Sequence, residues 1–220
     1  MNPLFSGECE AILFDMDGVI IDSEPICREV VDEMLHERGV AITADIHNTY
    51  VGQKTSVMWK DFILRFAWQE DYRSLTEESD HRYLTYIEER SLAPIAGILD
   101  LLEHFQSLHK KMIVASSATG YNIRLVLDKF GISKYFTGYV SSDEVKQAKP
   151  NPDIFLLAAE RLGLKAHQCV VIEDSHNGIL AAQAAGMQSI GYQNVNSGKQ
   201  DLSQATVVVN ALYEIKDIVC

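Results

Sequence analysis

The residues whose types could do chemistry stand just after apolar runs. Asp15 and Asp17 follow Ala-Ile-Leu-Phe, and Gly18 comes next. Ser116 follows Met-Ile-Val-Ala, Glu173 and Asp174 follow Cys-Val-Val-Ile, and Lys149 precedes Pro150. Ligands of an open parallel sheet bind beyond the carboxyl ends of its strands. If each apolar run is a strand, then carboxylates, a hydroxyl and an ammonium share one rim.

An Asp-x-Asp by itself says little, and acids after strands also serve as turn formers and N-caps. The combination says more. Glu173 and Asp174 packed beside Asp15 and Asp17 would repel one another strongly without a cation. Several oxygen ligands, with room for water and a phosphate oxygen, describe Mg2+. An aspartate is ionised at neutral pH and can act as a nucleophile. Its attack on phosphorus requires charge neutralisation by the cation, by Lys149 and by donors such as Ser116. Asp17 points away from Asp15 on an extended strand but can swing back where the chain bends at Gly18. That makes it the candidate general acid and base, poised by a raised pKa.

The elements that must position these groups are legible as alternating patterns. Apolar runs of strand length occupy residues 11–14, 112–115, 169–172, 188–192 and 206–209. Helix-period segments at 98–108, 122–130, 152–162 and 177–185 lie between most of them. This alternation predicts an α/β fold with a doubly wound, Rossmann-like parallel sheet. Residues 21–92 break the rhythm with helical patterns alone, at 25–38, 55–68 and 76–90, separated by loops near 39–43 and 69–75. They predict an all-α cap inserted after the first strand, dividing the chain into a core of 1–20 and 93–220 and a cap of 21–92. Residues 211–220 read as a short closing helix.

Composition excludes several function classes. The chain has 220 residues, 47% hydrophobic and 23% charged, and needs no disulfide or metal staple to build a core. Its net charge of −12 disfavours a nucleic-acid partner, whose binding depends on phosphate neutralisation. No apolar run of about 18 residues predicts a membrane span, and the N-terminus lacks a signal-peptide pattern. Cys9, Cys27, Cys169 and Cys220 form no C-x-x-C pair. A cytoplasmic protein with reduced thiols is expected.

The chain resembles the haloacid dehalogenase superfamily, in the branch with a helical cap after the first motif. The matching strings are Ile12-Leu13-Phe14-Asp15-Met16-Asp17-Gly18-Val19, Val114-Ala115-Ser116-Ser117, Lys149-Pro150-Asn151-Pro152 and Val171-Ile172-Glu173-Asp174-Ser175. The last continues as Gly178-Ile179, Ala181-Ala182 and Ala185-Gly186-Met187. The resemblance implies an aspartyl-phosphate on Asp15, with Asp17 protonating the leaving alcohol and then deprotonating water. It implies Mg2+ held by Asp15, the Asp17 carbonyl and Asp174, with Glu173 in support. Ser116, Ser117, Lys149 and Gly18 would bind the phosphoryl group. An acid at Asp17 fits phosphotransfer rather than dehalogenation.

Within that branch the string Asp-Gly-Val-Ile-Ile-Asp-Ser-Glu-Pro is similar to β-phosphoglucomutase and to sugar-phosphate phosphatases. Three mutase positions depart: its histidine is Cys27 here, its cap arginine is Thr55, and its lysine after the second motif is Thr119. Lys54 lies beside Thr55. A mutase must grip a bisphosphate at both ends, so the expectation is a Mg2+-dependent phosphomonoester hydrolase of a small phosphorylated metabolite, a sugar phosphate first. The alternatives are a phosphosugar mutase and, in another class, a non-enzymatic phosphoacceptor or phospho-ligand-binding protein. Glu24, Gln53 and Lys54 are expected where cap meets core, and Cys27 as a packed cap residue. A monomer is expected, with a dimer as the alternative.

Overall fold

A computed structural model describes Phe5, residues 9–51 and residues 55–219 of the chain. Strand β1 (Ala11–Phe14) is followed by four helices, α1 (Glu24–Glu37), α2 (Ala44–Asn48), α3 (Thr55–Phe66) and α4 (Tyr72–Glu89). Helix α5 (Ile98–Ser107), strand β2 (Lys111–Ala115), helix α6 (Gly120–Lys129) and strand β3 (Tyr139–Val140) come next. Helix α7 (Asp153–Leu162), strand β4 (Cys169–Glu173), helix α8 (His176–Ala184) and strands β5 (Gln188–Tyr192) and β6 (Val207–Val209) complete the order.

The strands form one parallel sheet in the order β3-β2-β1-β4-β5-β6. This is the doubly wound α/β fold that the alternating pattern predicts. β1 is central, with Phe14 in register with Val114 on one side and Ile172 on the other. Its side chains alternate between faces. Ala11 and Leu13 join Phe155 and Ala158 of α7 and Ala181 and Ala182 of α8 in one core layer. Phe14 meets Phe105 of α5 and Phe136 edge to face, at centroid distances of 6.2 and 5.7 Å. Burial on both faces is why these strands read as continuous apolar runs.

The chain divides into two units, Met1–Asp22 with Ala93–Cys220, and Ser23–Leu92. The second unit has its own core. Val30, Val31, Met34 and Leu35 of α1 pack with Met58, Trp59 and Phe62 of α3 and Leu75 of α4. Trp59 is fully buried and its indole N–H donates to Ser79 Oγ at 3.1 Å.

Several local expectations are corrected. Residues 72–75 open α4 rather than extending the preceding loop, because Leu75 is buried and Tyr72 packs against the same apolar cluster. Strand β3 and helix α2 have two and five residues, too short to carry a periodic signature. The closing helix is a 3-10 turn, Leu212–Asp217. Cys27 is exposed, not packed. The buried stripe of α1 runs through Ile26, Val30, Val31, Met34 and Leu35, and Cys27 falls outside it.

Candidate active site

The strand order reverses direction at β1 and β4, where a crevice opens beyond the carboxyl ends of a doubly wound sheet. Asp15 follows β1, and its backbone N–H donates to the Ile172 carbonyl of β4 at 2.9 Å. Ser116 follows β2 and is held by its N–H on the Val140 carbonyl of β3, at 3.1 Å. Glu173 ends β4 and Asp174 follows it. Asp15, Glu173, Asp174 and Ser116 are all buried.

Lys149 joins the ends of three adjacent strands. Its ammonium donates to Asp15 Oδ1 at 2.7 Å, to Glu173 Oε1 at 2.7 Å and to the Ala115 carbonyl at 3.3 Å. The Phe155 ring lies beneath it at 4.9 Å. Burial works to lower the ammonium pKa, but Asp15 and Glu173 outweigh it and hold the group above the ordinary lysine range.

Glu173 is folded back over the start of α8. Its Oε2 accepts from the Ser175 N–H at 2.7 Å and the Ser175 hydroxyl at 2.8 Å. Ser175 in turn N-caps α8 by accepting from the Gly178 N–H. A Cβ at Gly178 would collide with the Glu173 carboxylate, so the Gly178 match in the fourth motif has a steric reason.

Oxygens of Asp15, Glu173 and Asp174 lie within 4.8 Å of one another. Among the described residues a single ammonium, that of Lys149, pairs with these carboxylates, and Asp17 contributes further negative charge. Burial, countered by Lys149 and reinforced by Glu173 and Asp17, pushes the Asp15 carboxyl up to about 8. Without a bound cation it is therefore mostly protonated at neutral pH, and a cation at the site would return it to the carboxylate form that a nucleophile needs. Burial together with Glu173 and Asp15 raises Asp174 well above the usual carboxylate range. An all-oxygen donor set with uncancelled negative charge fits a hard divalent cation.

Gly18 has φ +75, a left-handed conformation that side chains disfavour. Its N–H donates to the Ile21 carbonyl at 2.8 Å, closing residues 17–21 into a tight turn with a parallel bridge between Asp17 and Ile21. A Cβ at Gly18 would collide with the Asp174 carboxylate. The Ser116 hydroxyl oxygen accepts from the Ala118 N–H at 3.1 Å, which leaves its proton as the group that can donate. Ser117 is exposed at that turn. Glu24 opens α1 in the helical unit and is half-buried, while Gln53 and Lys54 lie outside the described residues.

The sequence reading missed a turn after β5. Asn194 donates to the Gly18 carbonyl at 3.0 Å, Asn196 to Asp22 Oδ2 at 2.6 Å, and Ser197 to Asp174 Oδ2. Thr119 caps α6, accepting from the Asn122 N–H at 3.3 Å. Among the described residues no helix is long and apolar enough to cross a membrane.

Comparisons with known proteins place the chain by family and fold. The family model for the haloacid dehalogenase-like hydrolases matches residues 9–186. A phosphorylated carbohydrates phosphatase of Thermotoga maritima is 29% identical over 215 residues, 95% of this chain and 97% of the relative. A fructose-1-phosphate phosphatase of Escherichia coli is 33% identical over 181 residues, 81% of this chain and 94% of that protein. Among solved structures, a putative β-phosphoglucomutase of Thermotoga maritima superposes with a TM-score of 0.80 at 29% identity. It covers 95% of this chain and 97% of its own.

Proposed function

The chain belongs to the haloacid dehalogenase-like hydrolase family, and on that footing we propose that it is a divalent-cation-dependent phosphatase of small phosphorylated carbohydrates. The observation that carries the reading is the Lys149 ammonium bridging Asp15 and Glu173, with Asp174 beside them at the ends of β1 and β4. A carboxylate, its counter-cation and further acids are grouped where a phosphoryl group can be drawn to an anionic nucleophile. The carbohydrate preference rests on the relatives named above.

In this reading an Asp15 carboxylate oxygen forms a bond to phosphorus, and the ester bond to the alcohol oxygen breaks. Asp17 donates its proton to that leaving oxygen. Asp17 then takes a proton from water, whose oxygen attacks the aspartyl-phosphate, and the phosphorus–Asp15 bond breaks to release inorganic phosphate. Lys149 stays charged throughout, beside the oxygens that gain charge, and Ser116 donates to one of them. Mg2+, when bound, would be held by Asp15, the Asp17 carbonyl and Asp174, with Glu173 in support, and would offset charge on the phosphoryl oxygens. Gly18 and Ser117 border the phosphoryl position, and the helical unit selects the leaving group. Glu24, Gln53 and Lys54 are the residues of that unit assigned to selection.

The test is release of inorganic phosphate from a panel of hexose, pentose and polyol phosphates with Mg2+. Release should be lost in Asp15→Asn, and acid-quenched wild-type protein should carry one phosphate on Asp15. Interconversion of glucose phosphates without net release would replace this reading with a mutase. A phosphorylated Asp15 lasting minutes without turnover would replace it with a phosphoacceptor.

A further inference from the structure

Four consecutive residues after β5 hold three separate parts of the catalytic end of the sheet. Asn194 binds the Gly18 carbonyl, Asn196 binds Asp22, and Ser197 binds Asp174. The turn is itself tied down. The Asn194 side chain accepts from the Asn196 N–H at 2.8 Å, and the Ser197 N–H donates to the Asn194 carbonyl at 3.3 Å. Gln200 donates to the Ser197 carbonyl at 3.0 Å and accepts from the His176 N–H, also at 3.0 Å, at the start of α8. Asn194 and Ser197 are buried, so their bonds to Gly18 and Asp174 do not compete with bulk water, whereas the Asn196 bond to Asp22 is exposed.

Among the described residues, Ser197 is the one hydrogen-bond donor to the Asp174 carboxylate. Gly18 leaves the space that this carboxylate and the Ser197 hydroxyl share, because a Cβ there would meet both. We propose that residues 194–197 form the positioning element of the cation site, with Ser197 holding one oxygen of Asp174 so that the other is presented to a divalent cation. Asn194 fixes the Gly18 peptide from the same turn. A carboxylate anchored on one oxygen loses less rotamer freedom on binding, and partners of this kind set metal affinity as well as orientation. Ser197 is thus a positioning residue rather than a catalytic one. The inference rests on the divalent cation of the proposed function.

The experiment is equilibrium binding of Mn2+ to the full chain, followed by electron paramagnetic resonance of the free ion. Ser197→Ala should weaken binding about 10–100-fold, and Ser197→Thr, which keeps the hydroxyl, should stay within a few-fold of wild type. Asp174→Asn separates the two ideas. If it binds Mn2+ as wild type does, the cation site itself is misassigned and the positioning role falls with it. If Asp174→Asn weakens binding while Ser197→Ala does not, only the positioning role is overturned. Should Ser197→Ala fail to fold by circular dichroism, Ser197→Cys supplies the reading. Its weaker donor should give an intermediate loss, and wild-type affinity in that variant would overturn the proposal.

Discussion

The Lys149 ammonium and the Glu173 carboxylate lie 2.7 Å apart, with only 6% of the lysine side chain and 1% of the glutamate side chain exposed. The same ammonium is 2.7 Å from Asp15. Lys149 is therefore the counter-charge of a buried acidic site, and its removal leaves Asp15 and Glu173 without the cation that pairs them. Lys149→Ala should abolish phosphate release and destabilise the fold by about 3–5 kcal/mol near pH 8. The loss should be smaller near pH 5, where Asp15, raised to about 8, is protonated and needs no counter-charge. Urea denaturation at the two pH values checks it, and equal losses would contradict the assignment.

Asp15 supplies a pH dependence with a definite sign. Its carboxyl is raised to about 8 by burial, so the folded chain binds more protons than the unfolded chain between about pH 4 and pH 8. Metal-free stability should then fall as pH rises through that window, by up to about 1.4 kcal/mol per pH unit for one such group. Asp174, raised in the same direction, adds to the slope. Thermal melts in chelator should show a lower midpoint at pH 8 than at pH 5, with a flatter dependence in Asp15→Asn. Added Mg2+ should raise the midpoint more at pH 8.

Gly18 cannot accept a side chain without two penalties. Its φ of +75 costs an alanine roughly 1–2 kcal/mol, and the Cβ would push Asp174 off its position. Gly18→Ala should lower phosphate release by more than 100-fold, a larger fraction than its loss of stability explains. Steady-state assays beside chemical denaturation test this, and near-wild-type turnover would refute it.

In the helical unit, Trp59→Ala should cost about 3–5 kcal/mol, because it empties a fully buried site and removes the donor to Ser79. Trp59→Phe should recover most of the packing. Denaturation followed by far-ultraviolet circular dichroism distinguishes the two.

The thiols should separate by reactivity. Cys27 is exposed on α1, whereas Cys169 is buried in β4 with its thiol pushed up to about 11 by burial, Cys9 and Glu10. A disulfide reagent at pH 8 should label Cys27 in the native chain and reach Cys169 only after unfolding.

The strands and the site acids were readable because each functional side chain sits next to a buried run that announces itself. Asp15, Ser116, Glu173 and Asp174 are all reported by what precedes them. The bonds of Asn194 and Ser197 were invisible for the opposite reason. They connect residues 176 and 23 positions apart, through rotamers that only the assembled sheet determines. Asn194-Val195-Asn196-Ser197-Gly198 reads as an ordinary polar turn. Likewise Tyr72 begins α4 through packing against an apolar cluster, which no local propensity encodes.

The placement of Ser23–Leu92 between β1 and β2 also sets an order of events during synthesis. Ala11 of β1 pairs with Lys111 on one side and with Cys169 on the other. At ribosomal rates of about 5–20 residues per second, β1 leaves the peptidyl-transferase centre roughly 8–30 s before its partner β4. Before that delay ends the uninterrupted helical unit is complete and has its own apolar core, β2 has followed it, and the apolar strand β1 still waits for its second neighbour. Lengthening the connection costs little once the chain is whole, about 1 kcal/mol in loop-closure entropy. The burden of the insertion is temporal, and it falls on the nascent chain.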